Sequence, residues 1–142
     1  MDSPWEREAV FDYLAAFASI ADWDPGVVRA RPLTDDPLAV GARFEVISSF
    51  LGREVPLLYE TVEIDRPRRV LLRAETGTVA SLDEMSFDLR PGGGTIVTYD
   101  AQLTAQGALR PFGPLLSIAL RRLGDGARDG LRERIGTGEP PR

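Results

Sequence analysis

The feature that most limits the fold of this chain is a series of short apolar segments separated by turn residues. Proline, glycine and aspartate cluster between the segments, as at 65–68 and 91–94. Such short connections favour antiparallel hairpins, because parallel strands need a crossover of about a dozen residues or more. The sequence therefore predicts antiparallel strands at 27–33, 42–50, 54–64, 70–75, 82–89 and 95–103.

In the last two predicted strands, apolar side chains recur at every second position. Successive side chains of a strand point to opposite faces of its sheet. The residues that we expect on the inner, concave face are Met85, Phe87, Leu89, Val97, Tyr99, Ala101 and Leu103. For the strands that contain 48–49 and 57–58, the sequence does not determine which side chains point inward, because a bulge there would reverse every inward assignment.

Helices are predicted at both ends of the chain. Residues 3–6 (Ser-Pro-Trp-Glu) match a capping box and predict a helix that begins at Pro4, followed by a short helix at 17–21. The longest helical pattern has apolar residues three and four apart, namely Phe112, Leu116, Ala119, Leu120, Leu123, Ala127 and Leu131. Gly124, Gly126 and Gly130 interrupt this pattern at about 1 kcal/mol each relative to alanine. We expect them to allow close packing, with a kink that acts as a gate as the alternative.

Composition sets the limits of domain count and location. A chain of 142 residues with 43% hydrophobic content predicts one domain, over residues 1–135, and a disordered tail at 136–142 that has no apolar anchor. The net charge is −5 and no basic block occurs, so we expect no nucleic-acid partner. No apolar run reaches the roughly 18 residues of a membrane span, and no signal peptide is recognisable. The expected location is the cytoplasm.

The chain contains no cysteine, histidine or lysine. This composition excludes disulfides, thiol nucleophiles, imidazole bases, Schiff-base lysines and zinc sites built from thiolate or imidazole. All 17 basic residues are arginine, which codon bias in a GC-rich genome explains most simply. We expect no metal and no cofactor. Any catalysis would depend on Asp, Glu, Tyr, Ser or Arg side chains, backbone amides or bound water.

Five segments together resemble the START-like (SRPBCC) superfamily of polyketide cyclase/dehydrase and lipid-transport proteins. They lie at 10–14, 21–27, 40–44, 68–72 and 94–101. The resemblance runs from about Pro4 to Ile135. It implies an α+β helix-grip fold, in which a curved antiparallel sheet of six or seven strands wraps around a long C-terminal helix and a hydrophobic cavity.

The chain departs from this family at its start. Family members usually have a strand before the first helix, between the second and last strands of the sheet, whereas only Met1-Asp2-Ser3 stand before Pro4 here. Three residues cannot span a sheet, so we expect strands 27–33 and 95–103 to pair directly or to leave backbone groups open. A mis-assigned start, a six-stranded sheet and a partner chain that covers the gap, as in a homodimer, remain alternatives.

Candidate site residues are those expected to line the cavity. The predicted ligand contacts are Trp23, Phe44, Tyr59, Met85, Phe87, Val97, Tyr99, Phe112, Leu116 and Leu120. Tyr99 and Tyr59 are the strongest candidates, because a phenol on an apolar face can donate a hydrogen bond to a ligand carbonyl or polarise it. Trp23 either caps the cavity or simply packs at a helix-to-strand junction.

The charged residues have less certain roles. Arg43 and Arg73 would bind a carboxylate or an oxyanion only if they pointed inward, and strand alternation favours an outward Arg73. Glu60, Asp83 and Glu84 would be acid–base candidates if buried, but we expect most of them to face solvent. The pair Asp22 and Asp24 is half of a metal site at best, and a turn-stabilising role is favoured.

Two functional classes follow from these observations. The first is a binding or carrier protein for a hydrophobic small molecule of lipid, polyketide or isoprenoid type. The second is a polyketide cyclase or dehydratase that uses Tyr, Arg and carboxylate groups. An isolated inward hydroxyl would favour binding, and a converging cluster of these groups would favour catalysis. A structural or partner-binding domain is a weaker third alternative.

Overall fold

A computed structural model describes residues 1–141, apart from the side chains of Leu116 and Leu120. The helices are α1 (Arg7–Ala15), α2 (Ile20–Trp23) and α3 (Gly113–Gly136), with short 3-10 helices at Phe17–Ser19 and Gly107–Phe112. The strands are β1 (Asp2–Ser3), β2 (Val27–Pro32), β3 (Arg43–Phe50), β4 (Arg53–Asp65), β5 (Arg69–Glu75), β6 (Val79–Leu89) and β7 (Thr95–Ala105). Within the described residues, no helix is long and apolar enough to cross a membrane.

All strands belong to one antiparallel sheet in the order β1-β7-β6-β5-β4-β3-β2. Strands β2 to β7 confirm the six predicted strands, each with bounds within a few residues of those expected. The β3–β4 ladder is regular through 48–49 and 57–58. Register shifts instead occur in β2, between Val27 and Arg29, and in β4, between Thr61 and Glu63. The ladder between β6 and β7 has no register shift, so the alternation of side chains in these two strands shows which residues point inward.

The beginning of the chain differs from the prediction. Asp2 and Ser3 pair with Ile96 and Thr95, so β1 is a two-residue strand at the edge of a seven-stranded sheet. Of the two expected arrangements, direct pairing of strands 27–33 and 95–103 is wrong: within the described residues, β7 pairs with β1 and β6, whereas β2 pairs only with β3 and leaves its other edge open. The sheet is open along this side.

The predicted capping box is also wrong. Helix α1 begins at Arg7, and its N-cap residue Glu6 makes no side-chain capping bond. The Ser3 hydroxyl instead accepts a 3.2 Å hydrogen bond from the Trp5 amide and donates a 2.6 Å hydrogen bond to the carbonyl of Ile135. Ser3 thus connects β1 to the end of α3, and the amide that it binds, Trp5, lies before the first residue of α1.

The core lies between the concave face of the sheet and the helices. Phe11 of α1 meets Phe87 of β6 edge-on at a ring distance of 5.0 Å, and Phe17 meets Phe44 of β3 at 6.3 Å. Leu131 and Ile135, in the C-terminal part of α3, are fully buried. Each such side chain contributes about 1.5–3 kcal/mol by leaving water.

The three glycines in the interior of α3, Gly124, Gly126 and Gly130, have different surroundings. A Cβ atom on Gly130 would lie 1.8 Å from the carbonyl oxygen of Trp23, so α3 can approach the α2 turn only because no side chain is present there. Gly126 faces Pro25 at an ordinary contact distance of 3.5 Å, and Gly124 has no atom within 4 Å among the described residues. Close packing explains Gly130 but not Gly124.

Candidate functional site: a polar cluster in an apolar cavity

A partly enclosed cavity of about 190 Å³ lies between the concave face of the sheet and α3. Its wall is mainly aliphatic and includes Val46, Leu57, Val79, Leu103, Leu123 and Ala127. A dry apolar cavity of roughly 150 Å³ holds a benzene molecule. This cavity is therefore large enough for a single ring or a short branched chain.

Four polar side chains form one hydrogen-bonded cluster on the cavity wall. The Tyr59 hydroxyl donates to the Ser81 hydroxyl over 3.2 Å, and Ser81 donates to one carboxylate oxygen of Asp83 over 2.5 Å. The Tyr99 hydroxyl donates to the other oxygen of Asp83, also over 2.5 Å. Asp83 is only 2% exposed, so this carboxylate depends on its neighbours rather than on bulk water.

Strand alternation places this cluster inside the protein. Ser81 and Asp83 have the same facing on β6 as Met85 and Phe87, so all four point to the concave side. Tyr99 lies opposite Met85 in the β6–β7 ladder, one diagonal step from Asp83. Diagonal neighbours on one face of a sheet lie within reach of a long side chain. The Tyr99–Asp83 bond is a direct result of this register.

Burial controls the electrostatics of the cluster. It raises the pKa of Asp83, with a further increase from Asp24 and Asp100, while the hydrogen bonds from Ser81 and Tyr99 act in the opposite direction. Burial likewise raises the pKa values of Tyr59 and Tyr99 above their ordinary value, with Asp83 as the next contribution. Both tyrosines therefore remain protonated donors at neutral pH.

Asp24 faces the same cavity from the end of α2. Its carboxylate accepts a 2.8 Å hydrogen bond from the Gly26 amide, which is the expected turn-stabilising contact. Burial raises the pKa of Asp24, and the Gly26 bond only partly offsets this increase. Asp22 points elsewhere and accepts a 2.7 Å bond from the Tyr13 hydroxyl. No group of three or more acidic residues that could hold a metal ion occurs in the described part of the chain.

The other charged candidates lie outside the cavity. Arg73 is exposed, as strand alternation predicted, and Arg43 is exposed as well. Glu84 lies on the outer face, where it pairs with Arg69 at 2.8 Å. Of the three carboxylates considered as acid–base candidates, Asp83 is buried and so is an exception to the expectation that most of them face solvent. Its position two residues before the inward Met85 is the sequence signal for this facing.

The structure separates the predicted ligand contacts into several groups. Tyr59 and Tyr99 lie on the cavity wall. Trp23 is buried behind Tyr99, and their rings meet edge-on at 5.7 Å, so Trp23 supports the wall from outside the cavity. Residues that are fully buried in the core rather than on the cavity wall are Phe44, Met85, Phe87 and Val97. Phe112 is 53% exposed.

The side chains of Leu116 and Leu120 lie outside the described part of the structure. All ten residues remain predictions as ligand-binding residues. The structure adds Ser81, Asp83 and Asp24 to the candidate site.

The fold is that of the helix-grip class, with a curved antiparallel sheet packed against a long C-terminal helix. The sequence profile of the family described as polyketide cyclase / dehydrase and lipid transport matches residues 2–136. The chain therefore belongs to this family, which confirms the resemblance found in the sequence.

Solved structures agree with this fold. A START superfamily protein from Mycobacterium smegmatis superposes with a TM-score of 0.75 at 9% identity, covering 95% of this chain and 92% of that one. A protein from Thermus thermophilus gives a TM-score of 0.71 at 19% identity, with 95% and 92% covered. A Bacillus halodurans protein gives 0.66 at 18% identity, with 95% and 89% covered. At these identities the likeness establishes the fold alone. No curated protein sequence is significantly similar to this chain.

Proposed function

We propose that this protein binds an apolar small molecule in the cavity, with a polar group of the ligand directed at Asp83 and its partners. The observation that carries this proposal is a hydrogen-bonded cluster around the buried Asp83 on the wall of a mainly apolar cavity. Small-molecule sites typically combine an apolar lining with a few polar groups that fix the ligand's orientation. The family's description as polyketide cyclase / dehydrase and lipid transport is compatible with such a ligand.

The size of the cavity limits the ligand. A volume of about 190 Å³ encloses a ring or a short chain, but not a whole long-chain lipid. A lipid, polyketide or isoprenoid ligand would place its polar end inside and extend through the open side of the cavity. We therefore favour a compact ligand or a compact head group with an apolar extension.

A second candidate function is acid–base catalysis on such a ligand. The specific observation is that Asp24 and Asp83 face one cavity and that burial raises the pKa of both carboxyl groups. A carboxylate with a raised pKa is a better proton acceptor, and a neighbouring phenol can donate to a developing negative charge. The arginines considered for a cyclase-type cluster, Arg43 and Arg73, are exposed, and within the described residues Arg128 on the cavity wall forms no ion pair with Asp24 or Asp83. We therefore rank binding above catalysis.

The test is native mass spectrometry of the purified protein, followed by organic extraction and identification of any bound molecule. Ala101 lies on the cavity wall, whereas its neighbour Gln102 has the opposite facing on β7 and is exposed. Binding in the cavity predicts an apolar adduct that Ala101→Trp removes and the matched control Gln102→Trp retains. An adduct that survives Ala101→Trp would refute this location.

Turnover separates the two candidate functions. If the extracted molecule is recovered unchanged after incubation with excess protein, binding is supported. If it is converted, and Asp83→Asn abolishes conversion while binding persists, the catalytic candidate is supported instead.

A further inference from the structure

We propose that the preferred ligand of the cavity is an apolar amine, held as its ammonium form by Asp83. This inference rests on the proposed function and deepens it by naming the ligand's polar group. It depends on two observations: the hydrogen atoms of the cluster's hydroxyl groups are already used within the cluster, and no described residue forms an ion pair with Asp83.

The hydroxyl groups of the cluster have no donor left for a ligand. A serine or tyrosine hydroxyl carries one hydrogen atom. Tyr59 uses its hydrogen on Ser81, and Ser81 and Tyr99 use theirs on the two carboxylate oxygens of Asp83. All four side chains line the cavity, and the hydrogen-bonding capacity left on them consists of oxygen lone pairs. The cluster therefore accepts hydrogen bonds from a ligand and has none to give while Asp83 is ionised.

The negative charge of the site also favours a cationic ligand. Asp83 forms no ion pair within the described residues, and Asp24 and Asp100 add negative charge near it. Arg128 is the cationic residue along the described cavity wall, but it is exposed and pairs with neither Asp83 nor Asp24. A buried carboxylate without a positive partner is costly. An ammonium group on the ligand would supply both the missing charge and the missing donors.

Other ligand chemistries fit the site less well. A carboxylate or phosphate would bring a second negative charge to an acceptor-only cluster. A ketone or ester offers only acceptors, so it gains no hydrogen bond there. An alcohol supplies one donor without a charge, and hydrogen bonds with a charged partner are roughly twice as strong as neutral ones. The order of affinity should therefore be amine, then alcohol, then hydrocarbon, with the carboxylate weakest.

The experiment is calorimetric titration at pH 8 with four compounds on one carbon skeleton. They are 2-phenylethylamine, 2-phenylethanol, ethylbenzene and phenylacetate, whose single ring suits a cavity of about 190 Å³. We expect the amine to bind about tenfold more tightly than the alcohol, given the difference between charged and neutral hydrogen bonds. Equal affinity of amine and alcohol, or tightest binding of phenylacetate, would overturn this inference.

Two variants locate the effect. Asp83→Asn keeps the shape of the side chain and should abolish the preference for amine over alcohol. Asp100→Asn is the matched control, because it removes a charge near Asp83 from an exposed position outside the cavity, and it should retain the preference. A preference that survives Asp83→Asn contradicts the assignment. If that variant does not fold, the comparison of the four compounds on the unaltered protein still decides the matter.

The same series distinguishes this inference from the proposed function. Binding of ethylbenzene and the alcohol with no advantage for the amine would refute the amine alone. If none of the four compounds binds, both the proposed function and this inference fail.

Discussion

The hydroxyl of Tyr99 donates a 2.5 Å hydrogen bond to the buried carboxylate of Asp83. The two residues lie on the neighbouring strands β6 and β7, and the Asp83 carboxyl group, which can carry a negative charge, lies on the wall of a mainly apolar cavity. The stability of this protein should therefore depend on the protonation of one interior residue.

The first prediction concerns pH. Burial raises the pKa of Asp83 in the folded protein above its unfolded value, so the folded state binds more protons between these two values. Stability must then fall as the pH rises through this window and level off above the folded pKa. Asp83→Asn removes this loss, about 1.4 kcal/mol for each unit of pKa shift.

Urea unfolding at pH 4 and pH 7 measures this effect. The free energy of unfolding of Asp83→Asn minus that of the unaltered protein should be more positive at pH 7 than at pH 4, which means that the variant is relatively more stable at pH 7. Asp88→Asn, an exposed change on the same strand, serves as the control. A pH-independent difference for Asp83→Asn would show that its carboxyl group has an ordinary pKa.

The second prediction compares the two tyrosines. Tyr99→Phe removes a donor to a buried carboxylate and should lower the free energy of unfolding by about 1.5–3 kcal/mol at neutral pH. Tyr59→Phe removes a longer, neutral bond to Ser81 and should lower it by about 0.5–1.5 kcal/mol. Chemical denaturation of the two variants gives both numbers. A larger loss for Tyr59→Phe would contradict the hydrogen-bond arrangement described above.

The third prediction concerns the glycines of α3. Gly130→Ala would place a Cβ atom 1.8 Å from the Trp23 carbonyl, so the helix or the α2 turn must move, at a cost of about 1–3 kcal/mol. Gly124→Ala meets no described atom within 4 Å and should stabilise the helix by about 0.5–1 kcal/mol. Thermal melting of the two variants should shift the midpoint in opposite directions. Shifts of the same sign would count against the packing of α3 at Gly130.

The fourth prediction tests the burial of α3 against the sheet. Leu131 is fully buried, and Leu131→Ala should lower the free energy of unfolding by about 2–5 kcal/mol. Leu115 of the same helix is 75% exposed, so Leu115→Ala should have little effect. Equal urea midpoints for the two variants would mean that Leu131 does not contact the core.

The strands could be predicted from the sequence because their signals are local. Turn residues separate the apolar segments, and alternation in the last two strands correctly placed Met85, Phe87 and Val97 inside. Leu89, the last residue of β6, was expected to point inward but is 65% exposed. Local signals were therefore reliable within the strands and less so at their ends.

The errors concern contacts that are distant in the chain. Ser3 resembles a helix cap by its neighbours, but its hydroxyl is bound to the carbonyl of Ile135, which only the folded chain brings near. Asp83 resembles a surface residue by its charge, but Tyr99 on the next strand and Ser81 on the same strand stabilise it inside. Alternation indicates that Asp83 points inward. The hydrogen bond from Tyr99 that stabilises its buried carboxylate depends on the register of β6 and β7, which the sequence does not show directly.

The most direct test of the proposed binding function is an NMR titration of ¹⁵N-labelled protein with 2-phenylethanol, a neutral ligand whose binding does not depend on the amine proposal. Saturable shifts are predicted for the amides of Asp83, Tyr99 and Ala127 around the cavity, with little change at Arg73 on the outer face. Saturable shifts confined to the outer face, or no saturable shift at any residue, would contradict binding in this cavity.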